Sequence, residues 1–196
     1  MQDAFVGSWA RESHLSAGIL GSLHDLNHRF LDLAAARTGW VAGQVAPLSA
    51  TQRAAAARCP YALFDLRFQD DGHWQLRLEN SGSWRVADEP TVDDDTVSFV
   101  RLALFYTWHV AASEGLKAQL LLGMTGATAA AFRGITVNQL SALVATEAVY
   151  LSARWSGCTA YWSALTAAAS RADPKALRRV QLYGLQLAAA ARLPDP

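Results

Sequence analysis

His24 and His28 are the two residues whose type and spacing could most directly do chemistry. In the stretch HDLNH they stand four positions apart, so on a helix both imidazoles would lie on one face and could share a metal ion. Asp25 occupies the place of the glutamate in the zinc-protease pattern H-E-x-x-H, but its side chain is shorter and no third ligand follows at a familiar spacing. We therefore expect a turn of a packed helix without bound metal. A metal-dependent hydrolase using His24, Asp25 and His28 is the less favoured alternative.

Other catalytic patterns are missing from the sequence. No G-x-S-x-G nucleophile motif occurs, and the glycine-containing stretches lack the Lys-Ser/Thr pair that a phosphate loop needs. Cys59 and Cys158 have no neighbouring histidine and no metal-type spacing; they could form at most one disulfide, and we expect buried thiols instead. The sequence thus predicts a protein that is not an enzyme, with no catalytic residue and no cofactor.

Helical periodicity dominates the chain. Apolar residues recur at steps of three and four over residues 12–37 and again over 94–113, which predicts two long helices. Ser49 with Gln52, and Thr136 with Gln139, have the spacing of capping boxes, and Asp173 before Pro174 predicts the start of the last helix. The fold class expected is all-α, a compact orthogonal bundle of about seven or eight helices in a single domain, residues 1–196.

Residues 61–79 leave two interpretations open. Ala62, Phe64, Leu66 and Phe68 alternate with more polar neighbours, and the Asp-Asp-Gly that follows could turn a short β-hairpin. Two short helices broken at the same point fit equally well. We favour the helices because the surrounding elements are helical.

Residues 124–148 have the outline of a helix-turn-helix, with the turn at Arg133-Gly134-Ile135. Asn138, Gln139 and Ser141 could meet base edges, but the second helix has no Lys or Arg for phosphate contacts. An ordinary helical hairpin is therefore the favoured interpretation.

The charge balance argues against direct nucleic-acid binding. Seventeen basic and seventeen acidic residues give a net charge of zero, so little affinity is expected from counterion release. The charges are nevertheless uneven: residues 1–114 hold nine basic and fourteen acidic side chains, and residues 115–196 hold eight and three. No apolar run or leader-like N-terminus suggests a membrane span or a secretory signal, so we expect a cytoplasmic protein without membrane contact.

Two stretches carry a family resemblance. Residues 25–37 contain Asp25-Leu26-Asn27 followed by Phe30 and Leu31. Residues 118–155 contain Ala118, Leu122-Gly123-Met124, Ile135-Thr136 with Gln139, and Arg154-Trp155. Together these patterns resemble the FlhD family, the D subunit of the bacterial flagellar master transcriptional activator. They cover about a quarter of the chain. Residues 38–117 intervene where the family has only a few residues, Leu151 replaces the family's cysteine, and the tail beyond Trp155 differs.

The resemblance implies an all-helical, dimer-forming cytoplasmic regulator of transcription. Such a subunit binds a partner protein, FlhC-like or RNA polymerase, and reaches promoter DNA only indirectly. In the family the partner holds the zinc and many DNA contacts, so no metal ligand or DNA-binding residue is assigned to this chain. A helical adaptor protein unrelated to transcription is the main alternative.

The apolar excess predicts an interface. Large apolar residues outnumber what one bundle is expected to hide, and we expect four of them in a patch covered by a second subunit: Leu23, Phe30, Phe105 and Trp108. Lys175, Arg178 and Arg179 fall within about one helical turn and share much of one face. They are the expected contact for nucleic acid or an acidic partner.

Overall fold

Ten helices and one short strand pair make up the described part of the chain. A computed structural model describes residues 3–79 and 92–191, with side chains from residue 17 onward. The helices are α1 (Asp3–Ala35), α2 (Trp40–Val45), α3 (Ala50–Ala56), α4 (Asp71–Glu79), α5 (Asp94–Ser113), α6 (Gly115–Leu122), α7 (Gly126–Arg133), α8 (Val137–Ala148), α9 (Thr159–Ser170) and α10 (Pro174–Ala190). The strands are β1 (Phe64–Asp65) and β2 (Ser152–Ala153). The predicted all-α bundle is confirmed.

Side-chain caps fix where several of these helices begin. Both predicted capping boxes are present: Ser49 and Gln52 exchange hydrogen bonds at the start of α3, and Thr136 and Gln139 do so at the start of α8. A capping side chain satisfies backbone N–H groups that have no partner within the helix. The carboxylate of Asp173 accepts from two backbone N–H groups at the start of α10, whose first residue is proline.

Helix α5 is the centre of one half of the bundle, and α9 is the centre of the other. Helix α5 packs against α1, α6, α7 and α8, while α9 packs against α2, α3 and α10. Helix α1 contacts α2, α3 and α5, and so joins the two halves. Buried apolar side chains from residues 19–180 form one continuous cluster.

A buried segment without helix runs through this cluster. We call residues 57–68 the spine. Seven of its side chains are fully buried: Cys59, Tyr61, Ala62, Leu63, Phe64, Leu66 and Phe68. Its backbone hydrogen bonds go to distant parts of the chain, since Ala62 N donates to Leu121 O at 2.7 Å and Arg154 N donates to Leu63 O at 2.9 Å. The strand pair continues this contact, with Phe64 opposite Ala153 and Asp65 opposite Ser152 in antiparallel register.

Both interpretations of residues 61–79 are wrong in part. No β-hairpin forms there, because β1 pairs with the distant β2, and the first half is extended rather than helical. The second half is helix α4. Asp70 starts this helix instead of turning a hairpin, since its Oδ1 accepts from His73 N at 2.9 Å.

The helix count and some bounds also differ from expectation. The sequence predicted about seven or eight helices, whereas the described residues contain ten. Helix α2 was not predicted, and α1 begins nine residues before its predicted start at residue 12. The prediction for α5, residues 94–113, is confirmed. No helix in the described ranges combines the length and apolar character that a membrane span requires.

Candidate functional site

His24, Asp25 and His28 lie on α1 but do not form a metal centre. His24 is half-buried, and its pKa is lowered because burial and the nearby guanidinium of Arg58 both disfavour the imidazolium. The same positive charge is unfavourable for a bound metal cation. His28 Nε2 lies 3.8 Å from the carboxylate of Asp32, one turn further along. Within residues 17–79 and 92–191, no three His, Cys, Asp or Glu side chains come together as metal ligands.

Asn27, between the two histidines, has a structural role that the sequence alone did not indicate. Its side chain is fully buried, and Nδ2 donates to Ala57 O at 3.1 Å and to Tyr61 O at 2.9 Å. Oδ1 accepts from Leu63 N at 2.8 Å. One amide therefore satisfies three backbone groups of the spine, each of which would be costly to bury without a partner.

A second buried polar cluster ties α4 to α8. Glu147 on α8 is fully buried; His73 Nε2 lies 2.8 Å from its Oε2, and Arg77 Nε lies 3.0 Å from its Oε1. Burial raises the pKa of Glu147, and the two basic neighbours only partly oppose that rise. Arg77 also donates to the Tyr150 hydroxyl at 3.3 Å, and the guanidinium of Arg67 lies 4.4 Å from the centre of the Tyr150 ring.

The residues that carry the family resemblance have packing and capping roles. Gly123 ends α6 with φ +76°, and a Cβ at this position would lie 2.2 Å from Arg154 Nη2. Arg154 Nη1 donates to Leu121 O at 3.3 Å. The two stretches are connected through Leu63. The N–H of Leu63 donates to Asn27 Oδ1, and the carbonyl of Leu63 accepts from Arg154 N. The residues between the stretches, 38–117, supply both the spine and the central helix α5.

Helices α7 and α8 follow one another across the predicted turn, and both pack against α5. Asn138 and Ser141 are exposed on α8. Gln139 serves the capping box, since its Oε1 accepts from Thr136 N at 3.0 Å. The exposed Arg133 precedes the turn, and α8 itself contains neither Lys nor Arg.

The four predicted interface residues divide into two pairs. Leu23 and Phe30 are buried in the chain's own core, where the Phe30 ring centre lies 5.9 Å from that of Phe99, so the prediction that they form an exposed patch is wrong. The helical stripe that contains them faces inward. Phe105 and Trp108 are half-buried on the outer side of α5. Leu102, one turn before Phe105 and 45% exposed, was missed.

The predicted basic residues Lys175, Arg178 and Arg179 are exposed at the start of α10. Two further exposed arginines, Arg58 and Arg171, lie close to these residues in the fold and were not predicted. Arg58 and Arg178 line one depression, and Arg171 directly precedes another of its lining residues, Ala172. Charge spacing along one helix could not reveal this, because Arg58 is distant in sequence from α10.

Neither a family model, nor a curated protein, nor a solved structure significantly matches this chain. The geometry of the described residues therefore carries the functional argument.

Proposed function

We propose that this chain is a non-enzymatic, FlhD-like regulatory subunit that acts by protein–protein association. It forms a homodimer in the cytoplasm, binds a partner protein such as an FlhC-like subunit or RNA polymerase, and reaches promoter DNA only through that partner. The observation that carries the proposal is the apolar outer side of α5, where Leu102 is exposed and Phe105 and Trp108 are only partly buried against the core.

The position of this surface supports a role in association. The opposite side of α5 is fixed by α1, α6, α7 and α8, so the three side chains are presented by a rigid central helix. Large apolar and aromatic residues supply most of the free energy of association when a second subunit covers them. We call Leu102, Phe105 and Trp108 the α5 face.

The surface of α8 supports indirect rather than direct DNA binding. Exposed Asn138 and Ser141 could contact bases, but α8 supplies no cation to hold phosphates, which provide most of the affinity for DNA. The buried polar groups Asn27, His73 and Glu147 are occupied in joining elements of the fold. These roles favour an interaction protein over an enzyme.

Light scattering on the purified protein tests the dimer. We expect a dimer at micromolar concentration, and a monomer for Phe105→Glu, because a carboxylate in a covered apolar face is strongly unfavourable. Leu76→Glu is the matched control, since Leu76 is 53% exposed on α4, outside the α5 face. A wild-type monomer without concentration dependence would contradict the proposal.

The identity of the partner separates a regulator from a general adaptor. Tagged protein expressed in its native host is captured and its partners are identified by mass spectrometry. Recovery of RNA polymerase or an FlhC-like protein with wild type and with the control, and its loss with Phe105→Glu, supports transcriptional regulation. Reproducible recovery of unrelated proteins alone favours the adaptor.

A further inference from the structure

The surface formed by α3 and the first half of α10 is positively charged. Five exposed cations lie on or beside it: Arg58, Arg171, Lys175, Arg178 and Arg179. None of them forms an ion pair with another described residue. Residues 33–64 contain no acidic residue, and residues 148–191 contain only Asp173. The Asp173 carboxylate already accepts from Lys175 N at 2.9 Å and Ala176 N at 3.1 Å.

Part of this surface is a depression of about 440 Å³ with an apolar floor. The floor is formed by Ala54, Ala55, Pro174 and Leu177, and the guanidinium-bearing residues Arg58 and Arg178 contribute to the lining. We call this depression the basic groove.

Two hydrogen bonds between side chain and backbone hold the basic groove in shape. Gln181 Nε2 on α10 donates to Arg58 O at 3.0 Å, and Gln52 Nε2 on α3 donates to Ser170 O at 2.9 Å. The segment that follows α3 is therefore joined to α10, and α3 is joined to the end of α9. A preformed groove loses less conformational entropy when a ligand binds.

An apolar strip continues the basic groove along α10. Leu182 is 56% exposed and Leu185 is 41% exposed. They follow Arg178 by four and seven positions, so all three share one face of the helix. This face thus presents cations at its first turns and leucines at its next turns.

We propose that this surface binds an acidic amphipathic segment of a partner protein, with carboxylates at Arg58 and Arg178 and apolar side chains on the groove floor, Leu182 and Leu185. The assignment rests on the proposed role in protein association and names the chemistry of the partner. A duplex DNA backbone fits this surface less well. Phosphates would satisfy the cations but would leave the apolar floor and the two leucines uncovered.

Fluorescence anisotropy with the full chain tests the assignment. The probe is a labelled helical peptide carrying glutamates and leucines on one face; a matched peptide has glutamine for every glutamate. We expect saturable binding of the acidic probe that weakens as salt rises. The double variant Arg58→Glu with Arg178→Glu should bind at least about tenfold more weakly, because two attractions become repulsions. Arg133→Glu makes the same charge change at the end of α7 and should bind like wild type.

Three results would overturn the assignment: no saturable binding of the acidic probe, equal binding by wild type and the double variant, or tighter binding of a labelled DNA duplex at physiological salt. The last result would make the surface a nucleic-acid contact. Light scattering on the same samples separates the two proposals. An intact dimer that fails to bind the probe removes this assignment and leaves the association through the α5 face standing.

Discussion

Asn27 and Glu147 are both fully buried polar side chains, and each joins two parts of the fold, but their partners differ in kind. Asn27 holds backbone groups of the spine through a neutral amide. Glu147 holds two side chains of α4, His73 and Arg77, through a carboxylate. The first connection involves no charge, whereas the second places an ion pair where burial is costly.

This difference determines whether each buried residue can be replaced together with its partners. The backbone partners of Asn27 are present whatever residue occupies those positions, so no second mutation can remove their need for hydrogen bonds. The partners of Glu147 are side chains and can be replaced together with it. We therefore expect Asn27 to be irreplaceable and the Glu147 cluster to be replaceable as a unit.

The largest effect is expected for Asn27→Asp. The substitution removes the donors to Ala57 O and Tyr61 O and places a carboxylate beside these carbonyls. At neutral pH it should lower the free energy of unfolding by about 5 kcal/mol. The pKa of the new carboxyl should be raised by its burial, so part of the loss should be recovered as pH falls, when a protonated carboxyl can again donate. Urea denaturation at several pH values measures both effects.

Asp25→Asn is the matched control for that experiment, since it makes the reverse change at an exposed position of the same helix turn. Its stability should stay within about 0.5 kcal/mol of wild type. A similar stability for Asn27→Asp would show that the spine does not depend on this amide.

The next largest effect is expected for Glu147→Ala, which should cost about 4 kcal/mol because Arg77 and His73 lose their buried acceptor. Replacing the three residues together by apolar side chains, as Glu147→Leu, His73→Leu and Arg77→Met, should restore stability to within about 2 kcal/mol of wild type. Guanidinium denaturation compares the variants. A triple variant less stable than Glu147→Ala would show that the charged cluster cannot be treated as a unit.

The smallest effect concerns the pH dependence of the same cluster. Because burial raises the pKa of Glu147 above its ordinary value of 4.5, the folded protein binds more protons than the unfolded chain just above that pH. This stabilising contribution is present below about 4.5 and is lost as pH rises through the raised pKa. Relative to Glu147→Gln, which cannot titrate, wild type should therefore lose stability between acid and neutral pH, by less than Glu147→Ala loses.

The quantity to measure is the difference in stability between wild type and Glu147→Gln, because other titrating groups change the stability in the opposite direction. Hydrogen bonds from the Thr125 and Thr96 hydroxyls lower the pKa of Asp71 and Asp93, respectively. Both carboxylates are retained in Glu147→Gln, so their contribution cancels. A difference that does not change with pH would mean that Glu147 keeps an ordinary pKa.

Local patterns predicted the helices well. The capping boxes at Ser49 and Thr136, the Asp173 cap and the whole of α5 follow from residues close together in sequence, and the structure contains them. The period of three to four also identified the stripe of α1 that contains Leu23 and Phe30. It could not show whether this stripe faces the chain's own core or a second subunit.

Contacts between distant residues could not be predicted in the same way. The alternation at Ala62, Phe64, Leu66 and Phe68 correctly indicated extended backbone as one alternative, but its partner strand lies near residue 152, beyond any hairpin turn. The basic groove was predicted only in part. Arg178 belongs to a cluster of basic residues that are close in sequence, whereas Arg58 is brought beside it only by the packing of the fold. Residues 38–117, between the two stretches that carry the family resemblance, hold the central helix α5.

The spine has a consequence for the order in which the protein can assemble during its synthesis. Its hydrogen bonds join Asn27 to Leu63, and Leu63 to Arg154, across 36 and 91 positions of the chain. Closing such long loops is slow compared with forming a local helix. Until residues 154–161 have left the ribosome, the Leu63 carbonyl lacks its donor Arg154 N, and the Tyr61 ring lacks its neighbours Trp155 and Tyr161. The nascent chain therefore exposes an extended apolar segment, a typical target for chaperones, until most of the protein has been made.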